Sequence, residues 1–247
     1  MSASNRMGLI SGNILKIIAA VCMVIDHVGL LFFPELSILR IIGRIAFPVF
    51  AYMIAEGCKY TKNKLKYFST IFILGIMCQV VYWITENSLY MCILITFSLS
   101  ILVIYAMQYM KKMLLSATSS IWLKAFSCII FALTVYGVYI LNRIFVIDYG
   151  FWGCLVPVFA ALFQFPSINE SSLLKKMDCK YVNVLTMGVG LCILSAVTGG
   201  IQIYSLCSIP LLMLYSEKRG KYRMKYMFYI FYPLHLALLQ GIAMLMV

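Results

Sequence analysis

The chain has 247 residues, of which 64% are hydrophobic and 11% charged, with a mean hydropathy of +0.98. Soluble domains carry about 45–50% apolar and about 25% charged residues, so this composition excludes a water-soluble fold and makes the bilayer the solvent. A net charge of +12 would fit a nucleic-acid binder, but the basic residues form short clusters between apolar runs. Topology accounts for such clusters, and nucleic acid is not expected as a partner.

In chain order, apolar runs near the 20 residues of a spanning helix occupy 14–34, 38–57, 66–84, 89–110, 121–141, 149–165, 181–197, 199–216 and 225–246. The expectation is an all-α polytopic membrane protein with about nine transmembrane helices (eight to ten) in one bundle, a single domain over 1–247. The run 149–165 is short and carries Pro157; Thr198-Gly199-Gly200 marks either a tight hairpin or a break in one element. The first run is too long for a signal peptide, contains Asp26 and His27, and leads into Phe32-Phe33-Pro34-Glu35 instead of a small-residue cleavage site.

Basic clusters follow alternate runs: Lys59, Lys62, Lys64 and Lys66; then Lys111, Lys112 and Lys124; then Lys175, Lys176 and Lys180; then Lys218, Arg219, Lys221, Arg223 and Lys225. The loops between hold Glu35, Glu86, Arg143 and Asp148. By the positive-inside rule this places a multi-pass protein in the cell membrane with a cytoplasmic N-terminus, and an odd span count puts the C-terminus outside. The nine cysteines include no C-x-x-C pair, so neither a disulfide framework nor a metal site is expected. No internal repeat of the kind many transporters carry is visible.

Charged side chains at membrane depth cost at least about 2.5–3.5 kcal/mol each, so each is a functional candidate. Asp26, His27, Arg40 and Arg44 qualify, with Glu56 near the end of the second run. The other histidine, His235, lies in Phe231-Tyr232-Pro233-Leu234-His235. At the helical rise, His27 is about 20 Å past Ile14 and His235 about 15 Å past Lys225, both near the middle of a core about 30 Å thick. The two can therefore meet. Lys16 precedes His27 by eleven residues, which returns to within about 20° of the same helix face. Each residue also has a plainer reading: Lys16 as a snorkelling anchor, Arg40 and Arg44 as helix pins to Asp26 or Glu56, and His235 as a packing histidine.

The segments Leu15-Lys16-Ile17-Ile18-Ala19, Val24-Ile25-Asp26-His27-Val28-Gly29, Leu39-Arg40-Ile41-Ile42-Gly43-Arg44-Ile45-Ala46-Phe47-Pro48 and Ile54-Ala55-Glu56-Gly57 resemble the N-terminal signature of the TraX family. Lys218-Arg219-Gly220 and Tyr229-Ile230-Phe231-Tyr232-Pro233-Leu234-His235 are similar to its C-terminal end. The resemblance implies a membrane acetyltransferase, the family's namesake acetylating the N-terminus of a conjugative pilin. The chain is also similar to the acyltransferase-3 superfamily, whose first helix carries a basic residue, ten residues, then a catalytic histidine. On that analogy acetyl-CoA is the acyl donor, and the acceptor is an unidentified peptide amine, sugar, lipid or small metabolite. His27, Asp26 and His235 would be catalytic, since acyl transfer needs a base and an orienting partner. Lys16, Lys218, Arg219 and Lys221 would hold coenzyme A phosphates. Arg40, Arg44, Glu56 and Tyr232 would bind acceptor or oxyanion. The alternative is a transporter or flippase with an Asp-His-Arg proton relay.

Overall fold

The computed structural model describes residues 9–165, 173–221 and 224–245. Arg223 of the last basic cluster lies outside them, as do the side chains of Glu86, Lys175 and Lys225. The described residues are helical and contain no strand, only two isolated bridges between extended residues.

Each of the nine expected apolar runs is helical, but nine spans is corrected to six candidate membrane helices among the described residues. Gly12–Leu31, Ser37–Tyr60, Lys64–Ile84, Ile93–Leu115, Ile121–Ile144 and Lys180–Thr198 are long and apolar enough to cross a membrane. Gly150–Ala160, Gly200–Met213 and Ile230–Leu245 are shorter apolar stretches among the described residues. The odd count that placed the C-terminus therefore no longer follows. The physical reasons are local. Helix α7, Gly150–Ala160, ends three residues after Pro157, a residue that interrupts the hydrogen-bond ladder. The run 199–216 opens as a 3-10 helix, Gly200–Cys207, before a six-residue α-helix. The second span is itself interrupted, α2 being Ser37–Gly43 and α3 Ala46–Tyr60. Pro48 has no N–H to offer the carbonyl of Arg44, so the hydrogen-bond ladder is interrupted at this point.

The chain packs as two compact bodies, one formed by both chain ends (Met1–Met53 with Leu191–Val247) and one by the middle (Ile54–Gly190). In the middle body α5, Ile93–Leu115, is apolar on most sides and buried along most of its length, as expected of a central helix. It packs against α4 (Lys64–Glu86), α6 (Ile121–Ile144) and α7. Its small polar residues are spent on carbonyls: Ser98 donates to Leu94, and Ser100 to Thr96 and Cys154. Helix α6 instead exposes Trp122, Phe126, Ile129, Leu133 and Tyr136, an apolar surface that lipid covers at no hydrophobic cost.

The polar contacts of this body lie at its helix ends. At the basic end Lys59 pairs with Asp178 at 2.6 Å, and Asp178 also accepts from the Phe165 N–H at 3.2 Å. Lys111 caps the last carbonyls after α7, donating to Ala161, Leu162 and Gln164, a cation at a helix C-terminus. At the other end Met91 donates to the Val146 carbonyl and accepts from the Asp148 N–H across two loops, and Tyr90 donates to the Asp148 carboxylate at 2.5 Å. Burial and that carboxylate raise the Tyr90 hydroxyl well above its ordinary pKa.

The terminal body contains α1 (Gly12–Leu31), α2, the start of α3, the end of α9 (Lys180–Thr198, which follows the short α8, Leu173–Met177), the 3-10 helix, α10 (Ser208–Met213) and α11, Lys225–Leu245. Ser11 caps α1 by accepting from Ile14, while Gly12 and Asn13 donate to the carbonyls of Lys218 and Arg219. These bonds satisfy the donors that a helix start leaves open. Gly220, at φ 101°, is the residue that lets this loop close, since a Cβ there would sit 3.0 Å from Ser11 and Asn13 side-chain atoms.

Candidate functional site

In the terminal body α1 and α11 bring the two histidines together. The rings of His27 and His235 meet edge to face with centroids 5.2 Å apart. Eleven residues earlier on α1, Lys16 lies 5.8 Å over the ring of Phe228, seven residues before His235 on α11. Both contacts use one face of α1, and their order shows that the two helices run parallel. That is the face the spacing predicts for Lys16 and His27.

Each imidazole is fixed by its own helix. His27 Nδ1 lies 2.8 Å from the carbonyl of Met23, and His235 Nδ1 3.0 Å from the carbonyl of Phe231. A carbonyl only accepts, so both Nδ1 atoms carry the hydrogen. In the neutral ring Nε2 then holds a lone pair, the form of a base. His235 Nε2 is buried and has no hydrogen-bond partner among the described residues. Phe231 stacks on His235 at 5.0 Å, and Tyr232 meets it edge-on at 5.3 Å. Cys22, Met23, Ile18 and Ile45 add apolar packing around the same turns.

Beside His27, Asp26 joins α1 to α2. Its carboxylate receives Arg44 Nη2 at 2.7 and 2.9 Å and Arg40 Nη1 at 2.7 Å. Arg40 also reaches the Asp26 carbonyl at 3.3 Å, and Arg44 Nε reaches the Arg40 carbonyl at 3.3 Å. The i, i+4 spacing of the arginines sets both guanidiniums on one face of α2. The glycine between them, Gly43, allows the approach, because a Cβ there would overlap the Asp26 side chain. Since both carboxylate oxygens hold guanidiniums, the orientation of His27 comes from Met23.

Tyr232 thus lies beside the histidine pair, and Asp26, Arg40 and Arg44 form one ionic cluster next to it. Lys218, Arg219 and Lys221 are exposed in the loop at the start of α1. Glu56 is buried in the middle body, so it is not among the residues the terminal body assembles. No group of three His, Cys, Asp or Glu side chains that could hold a metal ion occurs among the described residues. Sequence reasoning missed Gln202, whose Oε1 accepts from Arg44 Nη1 at 3.4 Å. A usable signal existed: Gln202, Ser205 and Ser208 repeat every three residues through an apolar run.

A family model described as TraX protein matches residues 11–243. A Dichelobacter nodosus protein described as "Probable fimbrial assembly protein FimC, serogroup H1" is 25% identical over 235 residues, 91% of this chain and 92% of that protein. A Rickettsia prowazekii (strain Madrid E) protein, "Uncharacterized protein RP591", is 44% identical over 68 residues, 28% of this chain. That match spans 25% of the Rickettsia protein's own length. No solved structure matches the chain. These similarities correct the expectation of acyl transfer from acetyl-CoA: the relative aligned along nearly the whole chain is described by fimbrial assembly. The analogy had leaned on the spacing of Lys16 and His27, a coincidence of helix face that an anchoring lysine over Phe228 satisfies equally well. The transporter alternative gains no support from them either. With a match over residues 11–243, the chain belongs to the TraX family.

Proposed function

We propose that this chain is a membrane-embedded factor for assembly of a surface fibre, a fimbria or pilus, and that it modifies the fibre subunit at the His27–His235 pair. The observation that carries the reading is two imidazoles in contact on apolar helices, each with Nδ1 committed to a carbonyl. Similarity to a fimbrial assembly protein along 91% of the chain supplies the context. In this reading His27 Nε2 takes a proton from an amine or hydroxyl of the subunit, and His235 shares or relays it. Tyr232 and Phe231 hold the second ring in place. In this reading the protein sits in the cell membrane with its basic helix ends and its N-terminus on the cytoplasmic side.

The test is made in the native host. Deletion should reduce surface fibres and shift the intact mass of the fibre subunit, and the wild-type gene should restore both. Unchanged fibres with an unchanged subunit mass would overturn the proposal.

A further inference from the structure

Much of α4 faces away from its own body, with Phe72, Ile76, Met77, Val80 and Trp83 exposed. What holds the helix is a narrow stripe at helical spacing, Ile71, Gly75 and Cys78, all buried. Lipid is as apolar as a helix surface, so a span with so thin a contact is held by packing alone.

Gly75 brings two backbones together. A Cβ there would sit 2.8 Å from Ile95 Cδ1 and 3.3 Å from the Ile95 N, at the start of α5. Cys92, the residue before α5, turns its thiol back onto this part of α4 and donates to the Gly75 carbonyl at 3.7 Å. Cys78 lies one turn further along α4, and the Cys78 and Cys92 side chains hydrogen-bond to each other. Both are free thiols, exposed by 0% and 1%. No C-x-x-C spacing announces the pair. The fold-back of the chain after α4 creates it, fastened where Gln79 Nε2 donates to the Ser88 carbonyl at 3.2 Å.

We infer that Cys78 and Cys92 form a disulfide that fastens the second half of α4 to the start of α5. Two cysteines join without moving the backbone only where their Cα atoms lie within about 7 Å, and thiols already in contact meet that need. Lys64 and Lys66 mark the far end of α4, and Lys111 and Lys112 the far end of α5. The start of α5 therefore faces the oxidising side of the membrane, and for that side alone the inference rests on the functional reading above. The oxidant is a protein disulfide of that compartment. Cys92 attacks first as the thiolate, because the N–H groups of Leu94 and Ile95 at the helix start face its sulfur. One oxidant sulfur leaves, and Cys78 then displaces the other from Cys92. Two S–H bonds are lost and one S–S bond forms, while the oxidant takes two electrons and two protons and becomes a dithiol. Burial sets the order of events: exchange precedes the closure of α4 on α5, and closure then shields the bond from reductants.

The test takes the full chain from its native host grown in air. Cells are quenched in trichloroacetic acid, free thiols are capped with N-ethylmaleimide in denaturant, and the intact mass is read with and without prior reduction. Without reduction the protein should carry two adducts fewer than its nine cysteines allow, and with reduction all nine. A digest of the unreduced protein should contain two peptides joined through Cys78 and Cys92. In Cys78→Ala every remaining cysteine should take the cap, a readout that denaturation makes independent of folding. A full set of nine adducts without reduction, or a missing pair of adducts that survives Cys78→Ala, would overturn the inference. A linked pair in a host whose fibres and subunit mass survive deletion of this chain would remove the functional reading alone.

Discussion

The two bodies of this protein use buried charge differently. In the middle body charge and hydrogen bonding are placed at helix ends, one lysine to one carboxylate in Lys59–Asp178 and one tyrosine to one carboxylate in Tyr90–Asp148. Between those ends α5 is mostly apolar, and its serines donate to backbone carbonyls. In the terminal body the polar groups sit within the helices: two histidines in contact, two arginines on one aspartate, and a glutamine drawn to one of the arginines. One arrangement closes a structure. The other gathers charges and imidazoles at one place within an apolar body, as expected of a site.

The comparison can be broken by substitution. The largest effect is expected from Asp26→Asn, which strands two guanidiniums on one another inside an apolar body and should cost about 3–5 kcal/mol. A fall in Tm of the purified protein reads it, and a change of under about 1 kcal/mol would mean the arginines find water or lipid headgroups instead. Gly43→Ala should cost about 1–3 kcal/mol, because its Cβ collides with the same aspartate and the packing must shift. Tyr90→Phe in the middle body should cost about 1–2 kcal/mol by removing a donor to Asp148. The smallest effect should come from Lys59→Met combined with Asp178→Leu, within about 1 kcal/mol, because the pair leaves together. That double variant should also leave fibre assembly at the wild-type level. If it abolished assembly while remaining folded, the distinction between the bodies would fail.

Much of the terminal site was legible because each of its residues is costly in lipid. Asp26, His27, Arg40, Arg44 and His235 stand out against an apolar chain, and helical rise alone put both histidines at one depth. The pairing of the arginines with Asp26 was one of two open partners, and the packing of α1 on α2 realises it. The number of spans was less legible, since hydropathy does not reveal where Pro48 and Pro157 interrupt a helix or where eight residues wind as 3-10. Over so short a stretch a three-residue and a 3.6-residue period look alike, which hid the Gln202–Ser205 line. Lys59 and Asp178 are 119 residues apart, and no local pattern joins them. The acyl-transfer expectation failed for a different reason: it was carried by analogy, and a base in a membrane serves many reactions.

The most direct test of the account is complementation of the deletion strain with His27→Ala and with His235→Ala, alongside the Tm of each purified variant. Both proteins should unfold within a few degrees of wild type, since removing either imidazole strands no charge. Both should fail to restore surface fibres and the native mass of the fibre subunit. Folded variants that restore fibres and subunit mass to wild-type levels would contradict a functional role for the histidine pair.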